Sequence, residues 1–286
     1  MTISSGCPSS LQAIAYGAVF LALFVIGPQD VSIFNLNVTV QSFVALAAPL
    51  LGIAFAFDAV NGERAEGTLP RLVSQPIHRD DIINGKFTAA LAVIALVLVA
   101  VVAIIAGVGL LRLGIVPEWS EVVRLVLWLG VTVVYVSLWL AFGLLLAVVV
   151  RRAATSALVG FGVWMLIAMF GQFIANLLLA FIAPLSAGLT ADQAIATLQL
   201  RAFILRLLPT TLYNEASVVL LNPSLTQSSS PATIGQAIQA QQQIPTLLSL
   251  DQSLLLVWPQ VVVLLALTVL CFAAAYVRFM REEVRA

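Results

Sequence analysis

The chain carries uninterrupted apolar runs of about 20 residues or more, and this limits its folds to very few. At ~1.5 Å rise per residue, such a run covers the ~30 Å hydrocarbon core of a bilayer. Inside that core every backbone N–H and C=O must find its partner within the protein, so only helices and closed barrels cross it. Barrel strands read as alternating segments of ~10 residues. These runs are continuous, so the spans are helical. Composition agrees: 62% of residues are hydrophobic and 9% charged, against ~45–50% and ~25% in soluble domains. The fold class expected is an all-α integral membrane protein in a lipid bilayer.

Six spans are expected, at residues 11–26, 40–57, 87–111, 122–150, 157–182 and 254–277. An even number places both termini on one side. Lys and Arg accumulate in short cytoplasmic loops. One set of segments holds Arg64, Arg71, Arg79, Lys86, Arg151, Arg152, Arg278, Arg281 and Arg285; the other holds Arg112, Arg124, Arg201 and Arg206. Nine against four makes the first set, and both termini, cytoplasmic in a multi-pass protein of the cell (inner or plasma) membrane. A formal net charge of zero offers nothing to nucleic acid. Cys7 and Cys271 lie far apart, one in a polar tail and one in a span, so neither a disulfide nor a metal cluster is expected. No Lys or Arg precedes the first span, so the N-terminus does not read as a signal peptide.

Two segments between spans stand out. Residues 58–86 gather ten acidic, basic or His side chains between two oily runs. Residues 58–66 continue the second span out of the membrane, with Glu63 and Glu66 on one helix face. Gly67 is a natural helix end. Thr68 can cap a following helix, and Pro70 fits its first turn. That short helix, residues 69–74, has one apolar face of Leu69, Leu72 and Val73; Ser74 lies at its exit and Pro76 ends it. The product is a short cytosolic helix slung between two long ones. The second segment, residues 183–253, lies outside. Residues 191–208 have the spacing of an amphipathic helix on the membrane surface or on the bundle. Residues 224–243 are a polar connection rich in Ser, Gln and Ala.

Gly62-Glu63-Arg64, Gly67-Thr68-Leu69, Leu72, Ser74, Pro76-Ile77, Arg79, Ile82-Ile83 and Gly85-Lys86 stand in a fixed order with few gaps. This order resembles the cytosolic signature of permease subunits of type 2 ABC exporters, especially the NosY-like branch. A second stretch, Pro209, Leu212-Tyr213, Glu215-Ala216 and Leu220-Leu221-Asn222-Pro223, is similar to a segment in the outer loop of the same permeases. The resemblance implies one permease domain over residues 1–286 and no catalysis by this chain. Its implied partners are a separate ABC ATPase subunit, which holds ATP and magnesium, a second copy of this chain, and an extracytoplasmic partner protein. It makes Glu63, Arg64, Glu66, Gly67, Thr68, Leu69, Leu72, Val73, Ser74, Pro76, Arg79 and Lys86 the coupling residues. Pro209, Tyr213 and Glu215 become the partner or gate residues outside. The chain departs from the family pattern in lacking a basic amphipathic helix before the first span, in Pro70-Arg71, and in the long stretch 224–243.

Other chemistries lack their residues. No Walker A pattern is present, because Gly85-Lys86 is followed by Phe87 and position 80 is Asp. His78, the only histidine, sits among charges and reads as a solvated or partner-facing side chain before a ligand or base. The expected spans hold few ionisable groups, which argues against an ion-coupled secondary transporter. Gln172, Asn176, Thr132 and Ser137 read as helix–helix hydrogen bonds before pathway residues. Trp128, Trp139, Trp164 and Trp258 read as lipid or interface anchors, and Gly160, Gly162 and Gly171 as close-packing positions. A reading of a different class remains open: a non-transporting membrane scaffold that anchors an extracytoplasmic partner.

Overall fold

The computed structural model describes residues 33–65, 78–113, 118–150, 152–182, 191–221 and 250–281. All regular structure in them is helical. In chain order the helices are α1 (Ile33–Ala56), α2 (Asp58–Ala65), α3 (Arg79–Leu113), α4 (Trp119–Val149), α5 (Ala153–Met165), α6 (Gly171–Ile182), α7 (Ala191–Leu205), α8 (Pro209–Leu221) and α9 (Leu250–Met280). One π-helical turn, Leu166–Phe170, joins α5 to α6. The chain divides into two compact units, Met1–Val40 and Gln41–Ala286. Of the first, the described residues are the opening turns of α1.

Five stretches are long and apolar enough to cross a membrane: Gln41–Glu63, Asp80–Ile104, Trp119–Val149, Ala153–Ile182 and Leu250–Met280. They match the second to sixth spans expected. The first expected span, residues 11–26, lies outside the described residues.

The bundle is built around α4. Of its apolar window 72% is buried, against 11% for the window on α3. α9 runs along α4, α3 and α5 pack on it, and α2 touches both α4 and α5. Residue choice on α4 explains its place. Gly143 and Ala147 are small, and Tyr135, Leu140 and Leu144 fill the space between helices. Small residues let backbones approach where lipid supplies no hydrophobic push. A Cβ on Gly52 of α1 would lie 2.8 Å from Leu140 N, and one on Gly143 would lie 2.7 Å from Ala56 Cβ. Glu118 caps the start of α4, and its N–H donates to Glu121 Oε2 at 3.0 Å, one arm of a capping box.

Three tryptophans depart from the anchor role. Trp128, Trp139 and Trp164 are buried inside the bundle, and Trp258 alone of the four faces outward. Trp128 can be buried because its indole N–H donates to Ser217 Oγ at 3.1 Å. The polar residues behave mostly as helix ties. Thr132 meets Tyr213 at 3.1 Å, Ser137 meets Thr268 at 3.4 Å, and Gln172 Nε2 donates to Thr211 Oγ1 at 3.2 Å. Asn176 instead donates back to Gln172 O within its own helix.

Candidate functional site

At one end of the bundle α1 breaks at Phe57 and continues as α2, while α3 begins at Arg79. Asp80 and Asp81 fall in the first turn of α3, where carboxylates favour the positive end of the helix dipole. The long side chain of Lys86 crosses from α3 to α2. Its ammonium donates to Glu63 Oε1 at 2.6 Å and to the carbonyl of Ala59. The pair is part-buried, with side-chain exposures of 20% for Lys86 and 29% for Glu63. Asn61 is buried beside it and donates to Phe57 O at 3.4 Å. Ile82 and Ile83 are buried under the start of α3. Thus Glu63 and Lys86, singled out separately in the sequence, form one clamp across the two chain ends that flank residues 66–77.

Arg64 is the penultimate residue of α2, and Arg79 opens α3. Glu66, Gly67, Thr68, Leu69, Leu72, Val73, Ser74 and Pro76, with the short helix at 69–74, lie outside the described residues. Gly85 has open space around its Cα, so packing does not demand glycine there.

At the other end, α7 and α8 form a hairpin bent by 105°. Pro209 starts α8, where a proline costs no helix hydrogen bond. A helix resting on the surface was one expectation for residues 191–208. Instead α7 runs beside α6, with Arg201 donating to Leu179 O at 3.4 Å, and the bend brings Leu208 against Gly171. α8 then packs against both α4 and α9.

Tyr213 is fully buried. Its ring stacks on Tyr135 with centroids 4.4 Å apart and planes 14° from parallel. Its hydroxyl shares a hydrogen bond with Thr132 Oγ1, which also donates to Trp128 O at 2.9 Å. Gln41 of α1 reaches across to Asn214 O at 3.3 Å. Glu215 accepts from Arg206 Nε at 2.9 and 3.2 Å and from Gln260 Nε2 at 3.3 Å. Pro209, Tyr213 and Glu215 therefore belong to one bent element packed into the bundle. Sequence reasoning missed Arg206 and Gln260. The available signal was an apolar helix of 13 residues, too short to span, opened by proline three residues after an arginine.

The sequence of this helical bundle has counterparts among known proteins. The model of the ABC-2 family transporter proteins matches residues 1–284. The chain belongs to this family. It is similar to the probable ABC transporter permease protein NosY of Stutzerimonas stutzeri, with 30% identity over 139 residues. That match covers 46% of this chain and 49% of the relative, so the two align over about half their lengths. Membership makes the chain a multi-pass permease subunit of an ABC-2 type transporter. Among the described residues no group of three His, Cys, Asp or Glu gathers to hold a metal.

Proposed function

We propose that this chain is half of the membrane domain of an ATP-driven exporter. Two copies pair, and each presents residues 58–86 to a separate ATPase subunit that holds ATP and magnesium. The observation that carries the coupling role is the Glu63–Lys86 clamp. It ties the cytosolic ends of two spans across the segment that bears the family-like motif. A push on residues 66–77 then moves α2 and α3 together, and α2 leans on α4 and α5. ATP binding supplies the push by favouring one of two arrangements through contacts that differ between them.

In this reading Leu69, Leu72 and Val73 fill a groove on the ATPase, while Arg64, Glu66, Arg71 and Arg79 form rim pairs worth ~0–1 kcal/mol each when exposed. Glu63 and Lys86 serve inside the chain. Pro209, Tyr213 and Glu215 act as the outer gate, since their element is inserted among α1, α4 and α9. Both termini face the cytosol of a cell membrane, and an extracytoplasmic partner meets the segment 183–253. The test is co-purification with the ABC ATPase subunit that the wild-type chain captures, comparing wild type with Leu72→Asp; capture of no ATPase by wild type would overturn the proposal. The proposal expects loss of binding and of ATPase stimulation. Undiminished binding and stimulation would remove residues 69–74 from the coupling role.

A further inference from the structure

Helix lengths put one ion pair near the middle of the bundle's spans. Tyr213 stacks on Tyr135. Along α4, Tyr135 is eleven residues from Arg124 and fourteen from Val149, about 17 and 21 Å at ~1.5 Å per residue. It therefore lies near the middle of the span. Glu215 is two residues further along α8, a shift of about 3 Å. The bend gives the same depth independently. Leu208 meets Gly171, which is eleven residues, about 17 Å, from the end of α6. A hydrocarbon half-layer is ~15 Å thick.

At this depth Arg206 stays 50% exposed and Glu215 33% exposed. A charge bared to acyl chains at mid-membrane costs several kcal/mol, and such groups face protein or a water-filled cavity. Behind the pair stands Gln260 on α9. It is 9% exposed, its Nε2 serves Glu215, and its Oε1 is buried with no hydrogen-bond partner among the described residues. An orphaned buried carbonyl beside a half-exposed ion pair leaves hydrogen-bonding capacity that calls for another polar group, water included.

We infer that the exposed side of the Arg206–Glu215 pair borders a hydrated recess that opens at the membrane face where α6 ends, and that this recess, floored by Gln260, admits polar solutes and excludes acyl chains. As a stretch of the transported solute's route it rests on the transport reading above, but its hydration does not. Because the pair is charge-balanced, the recess takes hydrogen-bonding groups without demanding one sign.

Cysteine accessibility in the full-length chain tests this, in a Cys7→Ser, Cys271→Ala background with no ATPase present. The probes are Arg206→Cys combined with Glu215→Gln, and Ala202→Cys, which lies one turn earlier on α7 and keeps the pair. The control is Leu96→Cys on the outward face of α3, 70% exposed. A charged, membrane-impermeant methanethiosulfonate and a lipophilic maleimide are applied to sealed vesicles of each orientation. Only a thiolate in water reacts with the first reagent. The inference expects both probes to react with it roughly tenfold or more faster than the control, and from the face of the α6 end. If the double variant fails to fold, Ala202→Cys decides. Reaction with the maleimide alone, with neither reagent, or from the opposite face overturns the inference. Failure of the Leu72→Asp experiment leaves this outcome untouched.

Discussion

Gly52→Ala adds one methyl group and should loosen the bundle where it is tightest. A Cβ at this position meets Leu140 N at 2.8 Å, Val136 O at 3.0 Å and the Trp139 carbonyl carbon at 3.1 Å. All three are backbone atoms of α4, so no rotamer change relieves them. To reach the 3.4 Å of ordinary contact, α1 must back away from α4 as a unit. A gap of 0.5–1 Å forfeits about a quarter to a half of each neighbouring dispersion contact. Overpacking of this kind costs roughly 1–3 kcal/mol. Alanine's better helix propensity returns ~0.5–1 kcal/mol, leaving a net loss of up to about 2.5 kcal/mol, toward the upper end because the contacted atoms are backbone. Gly130, also on α4, is the control, because a Cβ there meets nothing within 4 Å. Gly130→Ala keeps only the propensity gain. The assay is thermal unfolding in detergent followed by fluorescence of the buried Trp128 and Trp139. At ~2–4 °C per kcal/mol for a chain of this size, Gly52→Ala melts several degrees lower and Gly130→Ala no lower than wild type. The reasoning fails if Gly52→Ala melts with wild type, or if the two variants fall together.

Other expectations follow from the same contacts. Tyr213→Phe loses the bond to Thr132 and costs about 1 kcal/mol, whereas Tyr213→Ala also loses the stack on Tyr135 and costs ~3–5 kcal/mol; detergent unfolding should rank them so. Glu63→Gln and Lys86→Met should each destabilise more than half of what the pair of substitutions does, with a coupling of about 1 kcal/mol in a double-mutant cycle. Under the proposed function, Lys86→Met should retain ATPase binding while ATPase stimulation falls, read by co-purification and phosphate release. Ser217→Ala strands the Trp128 indole N–H in the core and should cost ~1–3 kcal/mol, with a shift in the Trp emission.

The spans were legible because long apolar runs have one solution in a bilayer, and those at α1, α3, α4, α5–α6 and α9 were read from them. Their ends were less legible. Residues 87–111 gave the apolar part of the third span, yet α3 begins at Arg79, because helix continues into water where Asp80 and Asp81 suit its first turn. The π turn at Leu166–Phe170 has no signature in its apolar residues. Glycine roles need the distance between helices. Gly160 does approach Ile53, at 3.0 Å from a built Cβ, and Gly171 approaches Leu208, but Gly162 faces open space. The hairpin was hardest. Hydropathy reads Arg206 and Glu215 as charges between two spans, and the 105° bend that brings them together has no signature in it. The burial of Trp128 follows from the same hairpin, because α8 packs on α4 and sets Ser217 against its indole.

The central claim is that the segment between α2 and α3 is where the ATPase engages. Its most direct test is photocrosslinking from a benzophenone amino acid placed at Leu72, with Arg152 as a control position expected on the same face, in membranes that contain the ABC ATPase subunit that co-purifies with this chain. The account predicts an adduct of this chain with the ATPase from position 72, changed in yield by ATP. Adducts from position 152 and none from position 72, with or without ATP, would contradict it.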